Sequence, residues 1–217
     1  MTCDDELFSH KDLFKGETAF LLASGPSVAS EDLSLLRDNV IMTVNGATLL
    51  QEKFDLSPTY FCTTDSRFLA DQDLRPLGTT RVHKDTTRLI RDVIRPFDSP
   101  GKHKTLYVRT IGKNGFSTDM SRGFYFWCTS ISLGIQMAWF TGIKRLVLVG
   151  VDLNYFGQPR FYSERNAQPV DPFLSVQIQN VVSASKRFES DGRSIILASE
   201  RSMLRPYINY QPLSTVV

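Results

Sequence analysis

Seven short runs rich in β-branched and aromatic residues recur along this chain: TAFLLA (18–23), NVIMTV (39–44), TYFCTT (59–64), TRVHK (80–84), TLYVRT (105–110), RLVLVGV (145–151) and SIILAS (194–199). Segments with helical spacing of apolar residues lie between them, clearest at EDLSLLRD (31–38), TTRLIRDVI (86–94), SISLGIQMAWFTG (130–142) and SVQIQNVVSASKRFESDG (175–192). Strand and helix in alternation predict a largely parallel sheet with helices on both faces. Runs 18–23, 39–44 and 145–151 lack polar alternation, as central strands covered on both sides require. Gly142 and Gly192 stand where a left-handed C-cap ends the last two helices.

The fold class is therefore α/β and Rossmann-like, with the 217 residues forming a single domain, 1–217. One stretch breaks the rhythm. LNYFGQPRFYSERNAQPVDPF, opening directly after run 145–151, is rich in proline and aromatics and has no helical period. A long irregular segment in a compact domain is commonly a binding loop, so 153–174 is expected to be a lid over the site.

Several classes are disfavoured. A net charge of +2 is too small to argue for nucleic acid. The acidic N-terminus has no apolar h-region and no run approaches a membrane span, so a cytoplasmic location is expected. Three scattered cysteines, Cys3, Cys62 and Cys128, supply neither a disulfide framework nor a metal knuckle; Cys62 and Cys128 are expected as buried thiols. The histidines, His10, His83 and His103, fall outside the motif clusters. No metal site is expected.

The chemistry gathers at strand ends. After the first run comes Ser24-Gly25-Pro26-Ser27, a glycine turn whose N–H groups can meet an anion, followed by Ser30-Glu31-Asp32 as an expected helix N-cap. Neither a P-loop nor a G-x-G-x-x-G is present. Where a dinucleotide enzyme places an acid on the ribose, TVNGAT places Asn45 and Gly46. Asparagine both donates and accepts, so it can read a ribose or a base edge without adding charge. TTDSR adds Thr64 and Asp65 at the third strand's end, where Asp65 is either a reactive carboxylate or a helix cap. Thr129 and Ser130 open the helix before RLVLVGV, as caps or as a phosphate seat, and Asp152 closes that strand, as a catalytic group or as a loop anchor.

The order of these motifs resembles a known pattern. ASGPS, VNGA and TSISLGIQMAWFTGIKRLVLVGVDLNY, covering roughly residues 18–65 and 127–204, are similar to bacterial sialyltransferases that use CMP-sialic acid. The related Kdo-transferase-like enzymes and the hydroxymethylpterin diphosphokinase-like group share the pattern. The resemblance implies a CMP-sugar donor and no separate cofactor. It implies that Ser24, Gly25, Pro26 and Ser27 form the phosphate turn, with Asn45, Gly46, Thr64, Thr129, Ser130 and Asp152 lining the nucleotide. It implies that Tyr155 and Tyr162 are lid tyrosines that hydrogen-bond the departing phosphate, with a bacterial surface glycan, free or lipid-linked, as acceptor.

Two departures stand out. The family turn usually reads Gly-Asn-Gly-Pro-Ser, where this chain has Ala23-Ser24, and the lid lacks the histidine that takes the acceptor proton. Asp65 and then Asp171 are the expected carboxylates for that work. An ATP- and Mg²⁺-dependent pterin diphosphokinase-like enzyme and a non-catalytic nucleotide-sugar binding module remain alternative readings, as do peripheral association with the inner face of the membrane and homo-oligomerisation.

Overall fold

The computed structural model describes residues 3–99, 101–155, 157–165 and 171–217. Its centre is a seven-stranded sheet built from β1 (Thr18–Leu22), β2 (Val40–Val44), β3 (Tyr60–Thr63), β4 (Thr87–Arg91), β5 (Thr105–Val108), β8 (Arg145–Val149) and β9 (Ser194–Leu197). β6 (Thr110–Gly112) and β7 (Phe124–Tyr125) form a separate two-stranded ribbon between β5 and β8 in sequence. The large sheet runs in the order β5-β4-β3-β2-β1-β8-β9, and every pairing in it is parallel. The α/β, Rossmann-like expectation holds, and β2, β1 and β8 are adjacent, as their unbroken apolar runs require.

The apolar runs work because both pleat faces are buried. Ala19 and Leu21 face a core with Met42, Leu146, Leu148 and helix α5 (Ile131–Phe140), while Phe20 and Leu22 face Ile41, Val147, Val149 and Leu33. All ten residues of α5 are buried, as befits a helix apolar on every side. The longer α6 (Leu174–Ser190) is amphipathic and closes that layer against β9 and α5. The opposite layer holds the short α2 (Leu49–Phe54) and 3-10 turns at Pro26–Ser30 and Leu33–Leu36; two further short helices are α1 (Cys3–Phe8) and α4 (Arg75–Gly78). Gly142 and Gly192 do adopt positive φ beyond the ends of α5 and α6.

Four local expectations are corrected. TTRLIRDVI is not a helix: residues 87–91 are β4 and Asp92–Phe97 is a 3-10 turn. The misleading signal is Arg88, which reads as a polar helix position yet is wholly buried. It is held by Asp98, the Gly78 carbonyl at 2.8 Å and the Thr105 hydroxyl at 2.8 Å. TRVHK (80–84) is a turn rather than a strand, and EDLSLLRD holds only the Leu33–Leu36 3-10 turn. That turn is capped by Asp32, which accepts the Ser34 N–H at 3.1 Å; Ser30 ends the preceding turn instead.

From β1 the chain steps outward through β2, β3, β4 and β5, then returns to place β8 on β1's other side. The crevice outside the carboxyl ends of β1 and β8 is thus the topological switch point, where open α/β sheets bind ligands. No helix among the described residues is long and apolar enough to cross a membrane.

Candidate active site

The floor of the crevice is a staple across the switch point. Asp152, almost fully buried at the end of β8, accepts the Ser27 N–H at 2.8 Å and the Ser27 hydroxyl. Gly25 donates its N–H to the Gly150 carbonyl at 2.8 Å. A β-carbon at Gly25 would lie 2.5 Å from that carbonyl and 2.6 Å from the Asp152 carboxylate, so only glycine lets the two loops meet. Pro26 begins the 3-10 turn, where its missing N–H costs nothing. Of the two roles open to Asp152, the geometry supplies the anchor, and both Ser27 donors are committed to it.

Ser24 instead faces the irregular segment after β8. Its carbonyl accepts the Phe161 N–H at 3.1 Å, so residues 157–165 dock onto the β1 turn. Tyr162 then lies over Gly46, where a β-carbon would be 2.2 Å from its ring and hydroxyl. The Tyr162 hydroxyl donates to Glu164 at 3.1 Å. Burial, followed by the negative charge of Glu164, pushes the phenol's pKa well above its ordinary value, against the opposing pull of Arg160 and a hydrogen bond with Ser24. Residues 156 and 166–170 of the expected lid lie outside the described residues.

Next to this contact, Asn45 has a left-handed backbone with φ of 51°, and its Oδ1 is buried without a hydrogen-bond partner among the described residues. A buried carbonyl oxygen left unpaired costs about 1–3 kcal/mol and marks a place where a donor is missing. Six non-glycine residues have positive φ among the described residues; three of them line this crevice, Asn45, Cys128 and Leu153, and a fourth, the buried Trp127, directly precedes Cys128. The other two, Asp12 and Asp55, are of a type that tolerates the conformation. Strain concentrated in this way is typical of a site whose side chains must be aimed.

Trp127 and Cys128 lead into the N-terminus of α5. Ser130 there accepts the Thr64 N–H at 2.9 Å and bonds the Thr64 hydroxyl at 3.0 Å, fixing the helix to the end of β3. Thr129 lines the crevice beside it, at the positive end of the helix dipole. Cys62 is buried as expected, and burial raises its thiol pKa; Cys128 is corrected to a partly exposed residue of the cleft.

Three contiguous hollows share this edge: a narrow one of about 60 Å³ over the switch point, an arm of about 780 Å³ and an arm of about 480 Å³. Both arms are of a size that holds a small organic ligand. Asn45 and Arg160 line all three. Arg160, which carried no motif signal, stands over the Tyr155 ring at 5.6 Å and 3.6 Å from Glu164. An arginine inside an aromatic-rich loop at a strand edge was the available clue.

The two expected carboxylates are both engaged. Asp65 caps the short α3 (Ser66–Ala70), accepting the Arg67 N–H at 3.0 Å, and pairs bidentately with the Arg67 guanidinium at 3.0 and 2.9 Å. Asp171 accepts from the Phe173 N–H at 2.8 Å and from Gln177 at 2.7 Å. It also bonds Tyr155, whose pKa is raised by burial first and by Asp171 next. Asp65 and Asp171 both line the smaller arm. An Asp-x-Asp pair that the motif reading does not include, Asp71 and Asp73, lines the larger one. Asp71 accepts two backbone N–H groups, and Asp73 pairs with Arg165 at 3.0 Å. Among the described residues no three His, Cys, Asp or Glu side chains converge as metal ligands.

No protein-family model and no curated protein matches the chain. Solved structures with a similar fold include the MAf glycosyltransferase of Magnetospirillum magneticum AMB-1, at a TM-score of 0.62 and 16% identity over 99% of this chain and 39% of that one. Another is the sialyltransferase CstII of Campylobacter jejuni in complex with cytidine 5′-monophosphate, at 0.56 and 11% over 91% of this chain and 86% of that one. CstII with CMP-3FNeuAc aligns at 0.50 and 10% over 90% and 86%. The chain thus spans about two fifths of the Magnetospirillum protein's length. At these identities the likeness shows a shared fold, one used by glycosyltransferases.

Proposed function

We propose that this chain is a glycosyltransferase that moves a sialic acid- or Kdo-like sugar from a CMP-activated donor to a bacterial surface glycan, without a metal ion. The observation that carries the reading is the unpartnered, buried Asn45 oxygen at the junction of the β1 turn, the α5 N-terminus and a tyrosine-bearing segment. In the similar CstII fold, CMP is the bound molecule.

In this reading Asn45 accepts a hydrogen bond from the nucleoside, and Thr129 with the first N–H groups of α5 seats the phosphate. Ser24 contributes its hydroxyl, while Gly25, Pro26, Ser27 and Asp152 keep the turn open and rigid. Thr64 and Ser130 act through each other to hold α5 against β3. Tyr155 and Tyr162 carry their protons at neutral pH, as phenols ordinarily do, and each can donate to the leaving phosphate by turning from its present partner, Asp171 for Tyr155 and Glu164 for Tyr162. Arg160 adds positive charge where that phosphate departs.

The remaining need is a carboxylate. Asp65 is favoured because its partner Arg67 is 68% exposed, so exchanging that guanidinium for an acceptor hydroxyl costs little. Asp171 is more firmly committed, to Gln177, the Phe173 N–H and Tyr155. If Asp65 deprotonates the acceptor the anomeric configuration inverts; if it attacks the anomeric carbon the configuration is retained.

The test is CMP release from CMP-sialic acid and CMP-Kdo, with and without surface glycan acceptors, in the presence of EDTA. Acceptor-stimulated, EDTA-insensitive release supports the reading. No release from either donor, with ATP consumed in the presence of Mg²⁺, overturns it in favour of a diphosphokinase-like enzyme.

A further inference from the structure

The cations around the cleft divide into two groups. Arg67, Arg160 and Arg165 each have a carboxylate within ion-pair distance: Asp65, Glu164 and Asp73 respectively. Arg67 and Arg160 line the smaller arm as well, but the two cations found only there, Arg91 and Lys113, have no carboxylate within that distance among the described residues.

Arg91 closes β4 and is held in a set plane. Its guanidinium carbon lies 3.9 Å from the centroid of the Phe126 ring, and its Nε donates to the Thr110 hydroxyl at 2.9 Å. Both terminal nitrogens are left without a protein partner among the described residues. Burial lowers its pKa, with Asp92 and Cys128 only partly compensating. A half-buried guanidinium, oriented but lacking a counter-ion, is costly until an anion completes it, and its fork suits a phosphate or carboxylate. Lys113, exposed at the same arm with its ammonium 5.9 Å from the Phe173 ring, adds a second charge.

β4 is three strands from β1, about 14 Å at the usual interstrand spacing, so an anion on Arg91 lies well away from the β1 turn. Thr129, which seats the donor phosphate in the proposed function, lines this arm too, so the Arg91 anion is placed beside the donor phosphate, and competition with CMP tells the two apart.

We propose that the smaller arm receives the second substrate, and that Arg91, flanked by Lys113, binds a phosphate or carboxylate borne by the acceptor sugar. The proposal rests on the glycosyltransferase reading for the word acceptor, and on the unpaired Arg91 for the anion. Stacking on Phe126 and the bond to Thr110 set the guanidinium so that it meets the acidic group with little further ordering.

The experiment titrates methyl galactoside 6-phosphate, methyl glucuronide and neutral methyl galactoside into the protein, with and without saturating CMP, by calorimetry or ligand-observed NMR. The acidic glycosides are expected to bind at least tenfold tighter than the neutral one with CMP present. Arg91→Gln is expected to abolish that preference, Arg91→Lys to restore part of it, and Lys113→Gln, at an exposed position, to weaken it severalfold; CMP affinity should change less than twofold in each. Equal affinity for all three glycosides, competition between the acidic glycosides and CMP, or a preference that survives Arg91→Gln would overturn the proposal. Failure of the wild-type protein to bind CMP would instead strike at the proposed function, since the anion preference is also read without nucleotide.

Discussion

The ring of Tyr162 covers Gly46 so closely that a β-carbon on that glycine would sit 2.2 Å from the phenol. The backbone of Gly46 is not left-handed, so alanine there is objectionable only for the space it takes. Gly46→Ala should therefore displace Tyr162 while leaving the sheet intact, at a cost of about 1–3 kcal/mol for overpacking. CMP affinity measured by calorimetry should fall about tenfold or more, with cooperative unfolding preserved. Unchanged affinity would show that the contact between Tyr162 and Gly46 does not shape the nucleotide site.

Tyr155→Phe and Tyr162→Phe should lower turnover more than donor affinity. Each hydroxyl is placed to act on charge that grows as the phosphate leaves, so its loss belongs to the transition state. A decrease of about 10²-fold in kcat for either variant matches the removal of one such donor. Steady-state kinetics that show only a raised KM would assign the tyrosines to binding alone.

Asp65 has two roles that one substitution separates. Asn caps a helix about as well as Asp, so Asp65→Asn keeps the bond to the Arg67 N–H and should cost less than about 1 kcal/mol of stability. The charge is lost. Transfer should then fall by about 10²-fold or more while CMP still binds. Full activity in the variant would leave Asp65 as a cap and move the search to Asp171 and Glu164.

His10 gives the fold a defined pH dependence. It is buried beside Tyr60, whose hydroxyl lies 2.7 Å from its Nδ1, and its Nε2 faces the Lys104 ammonium at 3.4 Å. Lys104 can only donate, so the neutral ring accepts at Nε2 and donates from Nδ1 to Tyr60. Burial and then Lys104 lower the pKa of His10, outweighing Glu6. The unfolded chain, with an imidazole pKa of about 6.5, therefore binds the proton more readily than the folded one. This contribution to stability is complete above that value and is lost as pH falls through the lower folded pKa. The Tm should drop between pH 7.5 and 5.5, and His10→Gln should flatten part of the drop; His103, also lowered, accounts for a remainder. An identical slope in the variant would remove His10 from the account.

The sheet was legible because β1, β2 and β8 carry apolar side chains on both faces, a pattern that only a covered parallel strand requires. β4 was not, because the burial of Arg88 depends on Asp98, Thr105 and the Gly78 carbonyl, partners that no local period reveals. At the site, Gly25 and Asn45 were readable from turn chemistry and strand-end position and Thr129 from its place at a helix N-terminus, whereas Tyr162 was named only through the family resemblance. The division of labour did not: that Asp152 consumes both donors of Ser27, and that Asp65 is bound by Arg67, are facts of side-chain geometry. Arg160, Glu164 and Arg91 lay outside every motif, and only their convergence on one cleft gives them meaning.

The most direct measurement is a thermal-shift comparison of CMP, CDP, ADP and ATP, each with and without Mg²⁺. A nucleotide at a hundredfold its dissociation constant adds about 2.7 kcal/mol of stability, which for a chain of this size raises Tm by roughly 5–10 °C. CMP should produce such a shift, Mg²⁺ should leave it unchanged, and ATP should not match it. Stabilisation by ATP with Mg²⁺ and none by CMP would contradict the proposed function.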